Sequence, residues 1–437
     1  MALAVINHHP KIRRMRRATR LRAHQMAVAA YATAQRTPMP TGVRDALRDR
    51  LAWQPELRVV DVDKLLLGGQ NRLDAAGFAA AVGDPQWAST RVADGPHADL
   101  LRRAARAPLS DEEILGSRYA AMARVSIAAS GQYFSAHDDA GIVEFAREFI
   151  GTTDELVPPP DRKPHQTRAG APVEVAPIRD SDCYQVIDGH HRVARAAVEG
   201  IDQIAVRVKR IAVHTGLQEM LDAMSWIGGE PELYQPLTAP EVATWPTVRG
   251  CQDRFEAMIA VLDEIGLEAG SYLDVASCYG WFVAAMGEHG LAAEGVEQDP
   301  IAPRLGQVVY GLEPGRVSTG EAVSFLRAAE YRWDVVSCFS LLHHFVLGRS
   351  EDSAEALVQA LDAATGRVLF LDTGQEHEAW FRDSLAGWDS TRVREFLETE
   401  TSFDRVVDLG PDQDDRPPYS GNYGRHLFAC IRDEAVD

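Results

Sequence analysis

Two groups of residues in this chain have types and spacing that can do chemistry. The first is Asp188-Gly189-His190-His191-Arg192, an acid, a glycine, two imidazoles and a guanidinium on five successive positions. The residues after it form an Ala-rich helix, so this group stands at a helix N-terminus. Exposed N–H groups, the helix dipole and an Arg fork together make a polyphosphate site. The second is Asp274-Val-Ala276-Ser-Cys278-Tyr-Gly280, followed 17 residues after Gly280 by Glu297. Small residues in a strand-to-helix turn let backbone N–H groups approach a ligand. An acid at the end of the next strand can accept hydrogen bonds from both hydroxyls of a ribose.

The elements that must position these groups can be read from periodicity. Val173–Ile178 alternates like a strand, and Tyr184–Ile187 is a second. Val193–Glu199 is a helix that Gly200 ends, and Gln203–Ile211 is a third strand. From Phe255 the pattern alternates regularly. A helix precedes Ser271–Val275, and the strands Ala293–Glu297, Arg316–Ser318, Trp333–Phe339 and Arg367–Leu371 follow with helices between them. Two more strands, Asp404–Leu409 and His426–Ile431, end the chain. Alternation of this kind predicts an α/β doubly wound parallel sheet over 254–437. A smaller α+β domain is expected over 106–225, a connecting segment over 226–253, and a mostly helical region over 1–105. Ser110 and Glu113 have capping-box spacing at the start of a helix reaching Gly131, and Val157–Pro172 reads as a proline-rich loop.

A chain of 437 residues is about three domains' worth, and its 46% apolar content is ordinary for a globular protein. No apolar run is long enough to span a bilayer. The net charge of −19 is uneven: residues 1–44 hold nine Lys or Arg and no acid, so the remainder carries −28. An acidic body repels phosphate backbones, which argues against nucleic acid as a partner. The basic start reads as an amphipathic surface helix, with a transit peptide or a nucleic-acid arm as the other options. Five widely spaced Cys form no C-x-x-C pair. That argues against a disulfide framework or structural zinc, and points to a reducing cytoplasm.

The carboxyl-terminal motifs resemble the class I S-adenosylmethionine-dependent methyltransferases. Asp274 and Gly280 match the ends of that family's D-x-G-x-G-x-G, with Ala276 and Cys278 replacing the inner glycines. Glu297 stands at the ribose-binding position, and Gly320-Glu321 where the family places its adenine-contacting loop. Trp333–Phe345 is similar to the family's fourth-strand motif. The resemblance implies S-adenosylmethionine as cofactor, a Rossmann-like seven-stranded sheet, and in-line attack of an acceptor on the sulfonium methyl. It places the chemistry at the carboxyl ends of the strands, where His343 or His344 would act as base. Asp372, Gln375, Glu376, His377 and Glu378 share that edge, with Glu376 and His377 expected to face the acceptor. His343, His344, Glu376 and His377 lack fixed ligand spacing, so no metal is expected. The Gly410–Arg425 loop carries Arg416, Tyr419 and Tyr423, suited to a sugar ring or an anionic group. Short segments are similar to glycan-modifying methyltransferases, including the methyltransferase half of O-antigen chain-terminating kinase–methyltransferases.

The middle motif resembles the ParB/sulfiredoxin superfamily. Sulfiredoxins carry a nucleophilic Cys where this chain has His190, which excludes sulfinic acid reduction. The partition proteins carry Gly-Glu-Arg-Arg and a helix-turn-helix, and neither is present. The form here is most similar to the free-serine kinases. That implies ATP or a related nucleotide with Mg2+, held by Gly189, His190, His191 and Arg192, with Asp188 serving phosphoryl transfer. The expected function is methyl transfer to a small polar acceptor, such as an oxygen of a sugar, glycan or phosphate, beside a nucleotide-binding domain with kinase activity. The alternative is a nucleotide-gated module that recruits a glycan or protein partner to the methyltransferase.

Overall fold

The computed structural model describes Met26 and residues 52–70, 73–152, 172–224 and 230–433. The basic start and nearly all of the proline-rich loop lie outside the described residues. The chain divides into two units. One runs to Glu219 and takes in Thr238–Thr244; the other comprises Met220–Leu237 and Trp245 onward.

The first unit is built on a five-stranded mixed sheet. Its strands are β1 (Trp53–Asp61), β2 (Leu65–Leu66), β3 (Val173–Pro177), β4 (Tyr184–Asp188) and β5 (Gln203–Lys209), in the order β1-β5-β3-β4-β2. Helices α1 (Ala75–Val82), α2 (Pro96–Arg106), α3 (Asp111–Leu115), α4 (Arg118–Ser130) and α5 (Asp139–Gly151) precede β3, and α6 (His190–Val198) follows β4. The unit is α+β, as expected, but a boundary at 105/106 cuts through its core. β1 pairs antiparallel with β5, Val60 opposite Ile204, and β2 pairs parallel with β4. Leu65, Phe78 and Trp87 from before residue 105 share one core with Tyr119, Val186 and Val206 from after it. The region 1–105 is therefore not a separate helical domain where it is described. The single helix expected from Ser110 to Gly131 is two, α3 and α4, with Ser117 capping the second; Ser110 and Glu113 do form a capping box.

The second unit is a seven-stranded sheet. In chain order it contains α7 (Gln252–Glu264), β6 (Ser271–Val275), α8 (Trp281–His289), β7 (Ala292–Glu297), α9 (Ala302–Tyr310), β8 (Val317–Thr319) and α10 (Ala322–Ala328). Then come β9 (Trp333–Cys338), α11 (Leu342–Val346), α12 (Ala354–Ala364), β10 (Thr365–Asp372), α13 (Ser390–Glu400), β11 (Arg405–Pro411) and β12 (His426–Ile431). The order across the sheet is β11-β12-β10-β9-β6-β7-β8. Only β12 runs against its neighbours, antiparallel to both β10 and β11. The central strands are covered on both faces, so they read as apolar runs rather than alternations. Leu273, Val275, Val335, Val336, Phe370 and Leu371 are fully buried. Each such side chain contributes about 1.5–3 kcal/mol against leaving it in water.

The stretch 226–253, expected as a connection, is not a linker where it is described. Leu233 N donates to Pro246 O at 2.9 Å and Val248 N to Leu233 O at 2.7 Å, so its two ends pair with each other inside the second unit. Residues 238–244 instead belong to the first unit, where Glu241 accepts from Ser89 Oγ and Thr215 Oγ1.

Candidate active site and a second cavity

The turn after β6 keeps a glycine-like backbone with side chains on it. Ala276, Cys278 and Gly280 have φ of 60°, 53° and 89°. Left-handed backbone costs a non-glycine residue about 1–2 kcal/mol, so the loop shape is held at two strained positions. At Gly280 a Cβ would also lie 2.9 Å from Leu312 Cδ1. Glu297 clasps the turn, accepting from Cys278 N at 3.0 Å and from Asp299 N at 3.1 Å. Burial pushes its carboxyl above the usual range, against those N–H donors.

Asp274 lies beneath the turn, buried at the end of β6. Tyr272 OH donates to Ser337 Oγ, which donates to Asp274 Oδ1 at 2.6 Å; Oδ2 has no partner. Burial, with Glu297 and Asp372 adding repulsion against the Ser337 bond, raises its pKa to about 7. A buried carboxylate oxygen without a donor is costly, and a ligand cation or N–H satisfies it. Asp274, Ala276, Ser340 and Asp372 border a cavity of about 20 Å³, room for roughly one water. The orphan oxygen and Glu297 have the chemistry to meet the amino-acid and ribose ends of S-adenosylmethionine, while the space beside them holds about one water and both Glu297 oxygens accept from the turn's own N–H groups. Glu321 is placed differently from its expected role: its carboxylate caps α10 through Val323 N and Ser324 N, while Gly320 N donates to Glu297 O.

One contact on the turn has no signal in the sequence. Gln235 spans it, with Nε2 donating to Ser277 O at 3.3 Å and Oε1 accepting from Trp281 N at 3.2 Å. The Tyr279 hydroxyl accepts from Gln235 N and donates to Gln235 O.

The residues expected to face the acceptor are mostly engaged with their own chain. His343 is buried, accepts from Gly374 N through Nδ1 at 3.1 Å and packs on Phe381. Burial, then the nearby Arg425, holds its pKa well below the usual value. It is a packed residue, not a free base. His344 is half-buried with Nδ1 3.4 Å from Arg349, and burial followed by Arg349 lowers its pKa too. Glu376 accepts from Gly387 N, and His377 Nε2 donates to Tyr423 O. The Tyr419 hydroxyl donates to Glu232 at 2.7 Å and that of Tyr423 to Val248 O at 2.9 Å. Both tyrosines are buried, clamping the 232–248 stretch rather than standing open to a sugar. Arg416 is exposed and paired with Asp414. Among the described residues no group of three His, Cys, Asp or Glu converges as for a metal.

Asp372 and Glu378 belong to a buried ion-pair lattice. Arg254 Nε lies 2.6 Å from Asp372 and its Nη2 2.9 Å from Asp412; Arg425 grips Glu378 through two nitrogens at 3.0 and 2.7 Å. Arg249 joins Asp412 and Glu378. Burial alone would raise the Asp372 pKa, but Arg254, Arg425 and Arg249 hold it well below the usual range.

The middle motif forms the wall of a second cavity, of about 560 Å³, in the first unit. Gly189, with φ 102°, starts α6 without a side-chain cap, and Asp188, Gly189, His190, His191 and Arg192 all line the space. These five successive residues, expected to hold a nucleotide, border one space. The imidazoles, however, are not cationic phosphate ligands. His190 turns inward and accepts from Gly68 N at 3.2 Å, and burial lowers its pKa to about 4. His191 Nε2 lies 2.8 Å from Tyr119 OH, edge-on to Phe149 at 4.4 Å and Phe134 at 5.0 Å. Burial, then His190, Arg195 and Arg192, lowers it to about 3. Both are neutral, which leaves the N–H groups of α6 and the Arg192 guanidinium, itself 3.0 Å from Asp188, to meet an anion. His97, Tyr133, Phe134, Phe145 and Phe149 complete the surroundings and carry no pattern that sequence alone reveals.

The sheet order of the second unit, with six parallel strands and β12 reversed between β10 and β11, defines the class I methyltransferase fold. No protein-family model matches the sequence, and no curated protein matches it significantly. Among solved structures the chain is similar to the bifunctional kinase-methyltransferase WbdD, at 17% identity and a TM-score of 0.40, covering 51% of this chain and 47% of that one. It is also similar to the magnesium protoporphyrin IX methyltransferase of Synechocystis PCC 6803 with bound SAM, at 18% identity and a TM-score of 0.31, covering 42% and 80%. A TehB-like SAM-dependent methyltransferase from Corynebacterium glutamicum matches at 16% and 0.28, covering 41% and 88%. The chain thus spans about half the length of WbdD. The fold assignment rests on the strand order. No helix among the described residues is long and apolar enough to cross a membrane.

Proposed function

We propose that the second unit transfers a methyl group from S-adenosylmethionine to a small polar acceptor, an oxygen of a sugar, glycan or phosphate being the class its sequence likenesses favour. One observation carries the reading: a strained, glycine-like turn clasped by Glu297, above a buried carboxylate with an unused oxygen. S-adenosylmethionine supplies a methyl on a positive sulfur, which needs no metal activation. The protein's task is then positioning, and removal of the acceptor proton. Of the two histidines, His344 is the base we favour, because His343 is buried and packed on Phe381 while His344 is only half-buried. Calorimetry with S-adenosylhomocysteine tests the cofactor site. Glu297→Ala removes a charged acceptor of the ribose hydroxyls and the clasp on the turn, and should cost about 1.5–3 kcal/mol of binding. Unchanged affinity in the variant would refute the assignment.

The first unit supports a second function by a separate observation, the uncapped start of α6 opening on a large cavity beside Arg192. This reading is a ParB-like nucleotide site, with Mg2+ entering as part of the bound nucleotide. Release of ADP from ATP by the full chain, dependent on acceptor, separates kinase activity from a gated module that recruits a glycan or protein partner.

A further inference from the structure

Phe134 is out of place by every local rule. It is 57% exposed, although it is a large apolar residue. Its φ is 51°, in a tight turn closed by Tyr133 N donating to Ala136 O at 2.8 Å and Ala136 N to Tyr133 O at 2.9 Å. That position of a turn belongs to Gly, Asn or Asp. A bulky residue with positive φ is an outlier, and strain of this kind persists only where the surroundings over-determine it.

The surroundings here are the wall of the 560 Å³ cavity. The Phe134 ring stacks on Phe145 at 4.6 Å, with planes 12° apart, and meets the His191 ring edge-on at 5.0 Å. His191 is the second residue of α6, so the aromatic shelf begins one ring away from that helix N-terminus. Phe145 stacks on one face of Phe134 and Tyr133 meets the ring edge-on at 5.0 Å, yet the residue lines the open space and keeps more than half of its surface exposed. The cavity thus offers two unlike surfaces: N–H groups and Arg192 at one wall, and a flat, solvent-facing aromatic at another. An inorganic polyphosphate would use only the first.

We infer that Phe134 is a ligand-contacting residue of this cavity, and that the ligand is a nucleoside polyphosphate whose base stacks on its exposed face. The inference rests on the nucleotide-site reading of α6 and adds to it the residue that receives the base. A stacked base is sequence-tolerant and sensitive to loss of the ring, so the contact contributes affinity without a dedicated hydrogen-bond code.

Calorimetry on the full chain, with ATP and with inorganic tripolyphosphate, tests it. The parent should bind ATP at least about tenfold more tightly than tripolyphosphate. Phe134→Asn suits the turn, because Asn tolerates positive φ, and removes the ring. It should lose about tenfold or more in ATP affinity, with tripolyphosphate within twofold of the parent. Phe134→Trp should keep ATP binding and show an emission change on adding ATP that tripolyphosphate does not produce. Equal ATP affinity in the parent and Phe134→Asn, or a Phe134→Trp emission blind to saturating ATP, overturns the stacking role and leaves the phosphate site standing. A parent that binds neither compound overturns both.

Discussion

The backbone of the turn after β6 predicts an unusual response to glycine. Ala276 holds φ at 60° and is only partly buried. Ala276→Gly releases the left-handed penalty, about 1–2 kcal/mol. Against that stand the extra freedom of glycine in the unfolded chain, about 0.4–1 kcal/mol, and part of one methyl's burial, below about 0.8 kcal/mol. The balance runs from about 0.8 kcal/mol against the variant to about 1.6 kcal/mol in its favour, with its middle near 0.4 kcal/mol in favour. The same substitution at Ala284, inside α8, meets no strain and should cost about 1 kcal/mol. In thermal unfolding of the full chain, followed in the transition of the second unit, Ala276→Gly should hold or raise Tm, while Ala284→Gly lowers it by about 2–4 °C. Ala276→Val should fall below both, because a β-branched residue tolerates positive φ least. If Ala276→Gly destabilises as much as Ala284→Gly, the turn is not strained, and the cradle proposed for the cofactor loses its main support.

Two further outcomes follow from buried charge. His97, His190 and His191 have pKa values lowered by burial, so below pH 6.5 the unfolded chain takes up protons that the folded one refuses. Stability of the first unit should therefore fall as pH drops from 6.5, by about 1.4 kcal/mol per unit for each histidine. His191→Phe should reduce that slope by one histidine's share, as read from Tm between pH 7.5 and 4.5, and an unchanged slope would count against its burial as a neutral ring. In the ion-pair lattice, Arg254→Met leaves Asp372 without its 2.6 Å partner and should cost about 3–5 kcal/mol by denaturant titration. Adding Asp372→Asn should recover part of the loss, and a cost below about 1 kcal/mol would mean the lattice is already hydrated.

Much of the second unit was legible in the sequence because its strands are buried on both faces. A run such as Tyr272–Val275 between an amphipathic helix and a small-residue turn has few other readings, and it is β6 as expected. The first unit was less legible. Pro55 argues against a strand, yet β1 runs from Trp53, with the register shifting between Trp53 and Leu57. Its partner β5 is far along the chain, and no local pattern announces a pairing at that distance. The boundary expected at 105 failed for the same reason.

At the sites, patterned residues such as Glu297 and Gly189 shape the backbone, and residues without a pattern join them from elsewhere. Glu297 clasps a turn and Gly189 starts a helix, a task that fixes residue type and spacing. Gln235 and Phe134 reach the same places from segments whose sequence is unremarkable, because a side chain that touches a ligand or a loop needs only the right position in space. Tyr419 shows the converse. An aromatic with a hydroxyl on a polar loop has the chemistry to grip a sugar, but the same chemistry binds it to Glu232 and Trp380 of its own unit. Sequence specifies what a tyrosine can bond. Which partner it meets is decided by contacts such as Tyr419 with Glu232, 187 residues apart, and these form only once the sheet has folded.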